Sequence, residues 1–210
     1  MSPIFTKNKD KIFCVGRNKT GTTTLERVLT DFGYSMGNQP KGELLLPFYA
    51  KGNFNPIVKF CKTADAFQDA PFSWPNTWLV LHEHFPRAKF ILTIRNEETW
   101  YNSVTSFHAK LFTNGKVTPN MSDLQNAVYR YKGFLWDVNR AVWKTPEDDI
   151  YNKEMLISNY KRHNEDILHY FKDKPNFIAI DVSQKEDYLR LCYFLNKEPL
   201  SENFPHLNKT

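Results

Sequence analysis

A short apolar run, Lys11-Ile12-Phe13-Cys14-Val15-Gly16, leads directly into Gly16-Arg17-Asn18-Lys19-Thr20-Gly21-Thr22-Thr23-Thr24. The period then changes, with Leu25, Val28, Leu29 and Phe32 at i, i+3, i+4 and i+7. The first segment suits a buried parallel strand. The last is one face of a helix, closed by Gly33. A tight turn between such a strand and helix aims several backbone N–H groups at one spot, where the helix dipole adds partial positive charge. Gly16 and Gly21 let the backbone approach a ligand closely. Lys19 adds a mobile cation, and Thr20, Thr22, Thr23 and Thr24 add hydroxyl donors. Strand, glycines, lysine and threonines converge on an anion cradle rather than an ordinary glycine turn.

The rest of the chain alternates strand and helix in the same way. A strand is expected around Ala64–Phe67 and a helix over Trp74–Phe85, with Pro75 near its first turn and Pro86 beyond its end. Lys89–Arg95 is the clearest strand, and a helix follows from Asn96 with Trp100, Val104, Phe107 and Leu111 along one face. Ser122-Asp123-Leu124-Gln125 reads as a capping box opening a long helix striped by Leu124, Val128, Tyr131, Leu135, Val138 and Val142. A helix over 153–172, a strand over Asn176–Asp181 and a second capping box, Ser183–Glu186, opening a helix to about Asn196 complete the pattern. Repeated strand–helix units predict one three-layer α/β domain over 1–210, with a central parallel sheet and helices on both faces.

Composition narrows the partners. The 210 residues are 41% hydrophobic, enough for a packed core, and carry a formal charge of +5. That balance favours an anionic ligand. Lys and Arg are scattered without a basic run, which argues against nucleic acid. Cys14, Cys61 and Cys192 match neither a zinc spacing nor a disulfide framework, so they read as buried thiols of a reducing compartment. No secretory h-region and no membrane-spanning run is present, and the expectation is a soluble, cytoplasmic protein with no membrane partner.

The order of residues in the loop bears on which anion it takes. A nucleoside-triphosphate loop reads Gly-x-x-x-x-Gly-Lys-Ser/Thr. Gly16 and Gly21 have that separation, but Thr22 stands where the Lys belongs, and Lys19 precedes the second glycine. Lys19-Thr20-Gly21-Thr22-Thr23 resembles the 5′-phosphosulfate loop of the sulfotransferase family, whose members use 3′-phosphoadenosine 5′-phosphosulfate (PAPS). Such enzymes also carry an Arg at a strand end and a Ser eight residues on, both binding the donor's 3′-phosphate. Arg95 and Ser103 have that spacing. An Arg at a strand's carboxyl end faces the ligand crevice of an open sheet, and its planar fork suits a phosphate. Asp69-Ala70-Pro71-Phe72, Phe85–Lys89, Leu191–Leu195 and Phe204-Pro205-His206-Leu207-Asn208 extend the likeness, the last expected to cover the crevice.

The resemblance implies a P-loop-like sulfotransferase fold and sulfonate transfer from PAPS to a hydroxyl or amine acceptor, a small molecule or a carbohydrate, without a metal. It assigns Arg17, Lys19, Thr20, Gly21, Thr22, Thr23, Thr24, Arg95 and Ser103 to donor binding, and Lys19 to charge stabilisation on the leaving phosphate as well. Thr24 stands where relatives place an adenine-stacking Trp, so the adenine contact is open. Asp69 occupies the place of the relatives' His-x-Pro base and is the expected base, ahead of Glu43 and of His82 or His84. Aromatics between 107 and 151 suit an acceptor lid, although their helical spacing also suits core packing. A magnesium-dependent phosphotransferase or nucleotide triphosphatase, using Asp181 at the end of an apolar strand, is the main rival. A non-catalytic nucleotide-binding relative is the third reading.

Overall fold

Alternation along the first strand decides how the layers form. Ile12 and Cys14 point into one buried cluster while Phe13 and Val15 point into another, as the two-residue period of a strand requires. The computed structural model describes residues 10–205. Its four strands are β1 (Ile12–Cys14), β2 (Ala66–Phe67), β3 (Lys89–Thr93) and β4 (Phe177–Ile180). They pair in the order β2-β1-β3-β4, every pair parallel.

The helices are α1 (Thr22–Asp31), α2 (Gln39–Glu43), α3 (Leu46–Ala50), α4 (Asn55–Phe60), α5 (Thr77–His84), α6 (Glu97–Phe112), α7 (Met121–Asn126), α8 (Phe134–Val138), α9 (Lys153–Phe171) and α10 (Lys185–Leu195). Leu25, Val28 and Leu29 of α1 and Leu191, Cys192 and Leu195 of α10 cover one sheet face. Trp78 and Leu81 of α5 and Ile167 and Phe171 of α9 cover the other. Phe13 sits at the centre of that second layer, within 5.8 Å of the rings of Phe67, Phe72, Phe85 and Phe90. Phe85 is half-buried; each of the other four rings is fully buried and contributes roughly 1.5–3 kcal/mol by leaving water. The result is the expected three-layer α/β architecture.

Several local expectations are corrected. The helix foreseen from Ser122 to Val142 is interrupted. Ala127 turns to extended backbone, Val128 and Lys132 pair across a turn, and the chain resumes as α8 and one π-helical turn, Asn139–Trp143. The residues that suggested one long stripe instead meet through the turn, in a cluster holding Tyr131, Leu135, Val138 and Val142. Its capping box is Asn120 with Asp123, whose side chains each accept the other's N–H, not Ser122 with Gln125. At α10 the N-cap is Gln184, which makes no side-chain cap bond. Ser183 is drawn away because its N–H donates to Asp181 Oδ1 at 2.9 Å. Helix α5 begins at Thr77, after Asn76 in the left-handed region, so Pro75 precedes it. Helices α2, α3 and α4 were not foreseen, yet each carries Pro40, Pro47 or Pro56 in its first turn, where a missing N–H costs nothing. Of the C-terminal motif, Phe204 is buried against Tyr188, and His206–Asn208 lie outside the described residues. Cys14, Cys61 and Cys192 are free and buried. No helix among the described residues is long and apolar enough to cross a membrane.

Candidate functional site

A sheet whose strands are all parallel puts their carboxyl ends on one edge. The segments following β1, β2, β3 and β4 therefore meet there, carrying Gly16–Gly21, Asp69–Ser73, Arg95 and Asp181 respectively. The chain leaves β1 for β2 on one side and returns to β3 on the other. That reversal opens a crevice above the β1/β3 pair.

The loop after β1 turns through left-handed backbone. Lys19 and Gly21 both take left-handed backbone, at φ 66° and 97°. Such turns converge backbone N–H groups into a nest. A left-handed lysine is strained, and such strain persists where surrounding structure enforces it. Helix α1 starts at Thr22 with no side-chain cap and no acidic residue in its first turn, leaving its N-terminal N–H groups free for a ligand. Thr20 Oγ1 donates to the Arg17 carbonyl at 2.5 Å. Its single proton being used there, it accepts from Thr93 Oγ1 at 2.6 Å. The Thr20 hydroxyl thus tightens the loop against β3 instead of facing a ligand. Thr22 is buried, Thr24 half-buried and Thr23 exposed.

Gly16 sits just after β1, against Thr93 at the end of β3. A methyl group there would lie 2.2 Å from Thr93 Oγ1 and 2.5 Å from the Thr93 carbonyl oxygen. The strand pairing holds that backbone in place, so Gly16→Ala is expected to cost about 1–3 kcal/mol, in the range of overpacked cores. Chemical denaturation measures this. Because the Thr93 backbone clashes as well as its side chain, adding Thr93→Ala is expected not to restore stability.

The second cation arrives from β3. Arg95 Nη1 donates to the Lys19 carbonyl at 3.3 Å across 76 residues of sequence, and its Nε donates to Thr99 Oγ1 at 3.2 Å. Glu97 and Glu98, the obvious alternative partners, pair with Lys161 and Lys153 instead. Ser103 is half-buried on α6, two turns beyond Arg95.

Three residues to which sequence reading gave no role at the site hold this frame. Tyr160 of α9 donates its hydroxyl proton to the Arg95 carbonyl at 2.8 Å and accepts the Arg95 N–H at 2.9 Å. Trp100 stacks on Tyr160 with centroids 4.4 Å apart and donates its indole N–H to the Asn18 carbonyl at 3.0 Å. His163 Nε2 lies 2.8 Å from the Val15 carbonyl. Burial, then the nearby Arg17 charge, hold its imidazole well below its usual pKa, so it is the neutral form that donates. Helical spacing marks Tyr160 and His163 as core-facing, but not the backbone groups they serve.

Lys19 and Asp69 follow the neighbouring strands β1 and β2. The Lys19 ammonium lies 4.0 Å from the Phe107 ring centroid. Burial lowers its pKa, Asp69 raises it, and Arg95 and Lys110 lower it. Asp69, in the left-handed region at φ 55°, accepts the Ala70 N–H at 2.8 Å. Burial raises its carboxyl to about 6, the Glu43 charge adds to the rise, and the Ala70 N–H, Lys19 and the Ser73 hydroxyl oppose it. Glu43 is itself buried and raised by desolvation, but the Arg130 guanidinium pairs with it and draws it back. On the facing helix, His108 Nδ1 lies 2.7 Å from the Tyr151 hydroxyl. Burial and then Lys19 push His108 down to about 4. His82 and His84 are occupied elsewhere, by the Tyr170 hydroxyl and the Val80 carbonyl. Asp181 accepts the Ser183 N–H and so closes its own turn.

Aromatics of the 107–151 segment lie against cations. Phe107 underlies Lys19, Tyr129 stacks against the Arg130 guanidinium, and Trp143 stacks on Arg17.

Fold and site together define an α/β protein with an uncapped strand–loop–helix cradle and two converging cations on the carboxyl edge of its sheet. A sequence model described as "Sulfotransferase domain" matches residues 11–210, and the chain belongs to that family of transferases. Among solved structures it is similar to the crystal structure of a sulfotransferase from Alicyclobacillus acidocaldarius, with TM-score 0.55 and 13% identity over 96% of this chain and 86% of that one. At that identity the likeness concerns the fold. No curated protein matches the sequence.

Proposed function

We propose that the protein transfers a sulfonate group from 3′-phosphoadenosine 5′-phosphosulfate to a hydroxyl or amine of a small-molecule or carbohydrate acceptor. The observation that carries this reading is the Arg95–Lys19 contact. It joins the 5′ cradle to a second cation on the next strand, as a donor with phosphate groups at both ends of its ribose requires. The fit is further supported by the uncapped α1 terminus and by a Lys19 ammonium that, among the described residues, rests against a ring face.

In this reading Lys19, the N–H groups of residues 17–24 and the Thr22 hydroxyl hold the 5′-phosphosulfate. Arg95 and Ser103 hold the 3′-phosphate. The donor supplies an activated sulfonate, and the protein aligns it with the acceptor oxygen or nitrogen and stabilises charge on the leaving phosphate. Asp69 takes the acceptor's proton. Its pKa near 6 keeps it ionised at neutral pH while leaving it basic enough to work, whereas His108 at about 4 is too weak a base to compete.

Adenosine 3′,5′-bisphosphate is expected to raise the melting temperature in the presence of EDTA. At 100 times its dissociation constant, a ligand adds about 2.7 kcal/mol. Stabilisation by ATP with magnesium, and none by the bisphosphate, would overturn the reading in favour of a phosphotransferase. Arg95→Met is expected to weaken the bisphosphate roughly 10- to 100-fold, the worth of a charge-assisted hydrogen bond. The same change should leave the affinity for adenosine 5′-phosphosulfate, which lacks the 3′-phosphate, unaltered. Calorimetric titration reads both.

A further inference from the structure

Arg17 belongs to the loop after β1, yet its side chain leaves the cradle. Its Nη1 donates to the Ser73 carbonyl at 2.9 Å, and the Trp143 indole covers its face with Cζ 4.5 Å from the ring centroid. The residue is 2% exposed, and its Nε–H has no acceptor among the described residues. The titratable groups around it are Tyr49, Arg162 and His163. None of these is an anion at neutral pH, and no ion pair among the described residues includes Arg17. Lys19, by contrast, feels Asp69, Arg95 and Lys110, so the two loop cations serve different places.

Burying an ion without a counter-ion is among the costliest arrangements in a fold. Packing does not demand it here, because a methionine would fill the slot between Ser73 and Trp143 without desolvating a charge. A cation retained under those conditions points to a ligand. The guanidinium also keeps the right group free. Trp143 occupies its face and Ser73 one edge, which leaves the Nε–H edge for an oxyanion in the guanidinium plane. Ser73 ties this arrangement to the reacting side of the crevice, since its N–H donates to the Asp69 carbonyl at 2.9 Å. The π-helical turn that presents Trp143 is fixed in place. Asn159 donates to the Trp143 carbonyl, and Asn139 and Thr145 bond each other across the turn. Such turns recur at functional sites.

We propose that Arg17 anchors an oxyanion on the acceptor side of the crevice. The oxyanion is carried either by the acceptor, as a carboxylate, phosphate or sulfate group, or by the sulfonate in transit. The inference rests on the sulfonate-transfer reading, and where the acceptor carries the oxyanion it adds a reason for that acceptor to be acidic.

Calorimetric titration of the full chain, wild type and Arg17→Met, tests it. Both are expected to bind adenosine 3′,5′-bisphosphate equally, and Arg17→Met is expected to melt no lower than wild type without ligand. With bisphosphate saturating, 4-hydroxyphenylacetate is titrated against 4-hydroxyphenylacetamide. In a separate arm, the intact donor is titrated against the bisphosphate. A preference of about tenfold or more for the acid in wild type, lost in Arg17→Met, assigns the oxyanion to the acceptor. A similar advantage of donor over bisphosphate, lost in the variant, assigns it to the sulfonate. Absence of both contrasts in wild type, or their persistence in Arg17→Met, overturns the proposal. A ligand-free Arg17→Met protein that melts well below wild type shows a structural cation and also overturns it. Failure of wild type to bind the bisphosphate would instead remove the sulfonate-transfer reading, and this inference with it.

Discussion

Lys19→Met is expected to lower kcat by about 10²–10³-fold, the usual loss when one preorganised charge is removed from a transition state that develops negative charge. Ground-state donor affinity should fall much less, because the loop N–H groups and the α1 dipole remain. Single-turnover kinetics set against bisphosphate titration separates the two effects. Equal losses in both would show that Lys19 binds the donor without favouring the transition state. The fold should tolerate the change. The Lys19 side chain makes a ring contact with Phe107, worth roughly 0.5–1 kcal/mol at a partly exposed site, and no described salt bridge includes it. The left-handed backbone at Lys19 is no more strained for Met than for Lys. A large loss of activity with a small change in melting temperature is therefore the expected signature.

How much of this was legible beforehand depends on whether the information is local. The strand–loop–helix unit of β1 and α1 was, because its three parts succeed one another within some twenty residues, and Gly16, Lys19 and Gly21 each have a local reason to be there. The positions of β1, β3 and β4 were legible too, because apolar runs near glycine or proline mark them. What failed was the long helix over 122–142. The apolar residues repeat at helical spacing, but Ala127 leaves the helix and the turn before Gly133 brings them together by another route. Periodicity reports which residues are buried more reliably than how the chain connects them. The expected stripe on α6 shows the converse. Trp100 and Val104 are buried, whereas Phe107 and Leu111 are exposed and Phe107 meets Lys19. The contacts from Tyr160 to Arg95, Trp100 to Asn18 and His163 to Val15 link residues 65, 82 and 148 positions apart. Only the sheet order brings them together. The direction of the Arg17 side chain was likewise unreadable, because loop membership says where the backbone lies and nothing of where a five-bond side chain goes.

Asp69→Asn is expected to reduce kcat/KM by about 10²–10⁴-fold, the contribution of a positioned base, while donor titration remains as in wild type. Asparagine is well suited to the site. It tolerates the left-handed backbone at φ 55°, and its carbonyl oxygen can still accept the Ala70 N–H. The carboxylate is the active form. With its pKa raised to about 6, wild-type activity should climb as pH passes through about 6 and level off above. Glu43→Gln removes a neighbouring charge that raises Asp69 and frees the Arg130 cation, so that limb should move to lower pH. A purely structural role for Glu43 would lower activity without moving the limb. Stability runs in the opposite sense. The folded chain holds the Asp69 proton more tightly than the unfolded one, whose carboxyl titrates near its usual value of about 4. Between pH 4 and 6 or so the folded state binds more protons, and stability declines as pH rises. Above that window the ionised Asp69 is a cost to the fold, so Asp69→Asn should melt at or above the wild-type temperature at pH 7. An inactive variant that is no less stable is the pattern expected of a side chain kept for chemistry. Near-wild-type turnover in Asp69→Asn would remove Asp69 as the base.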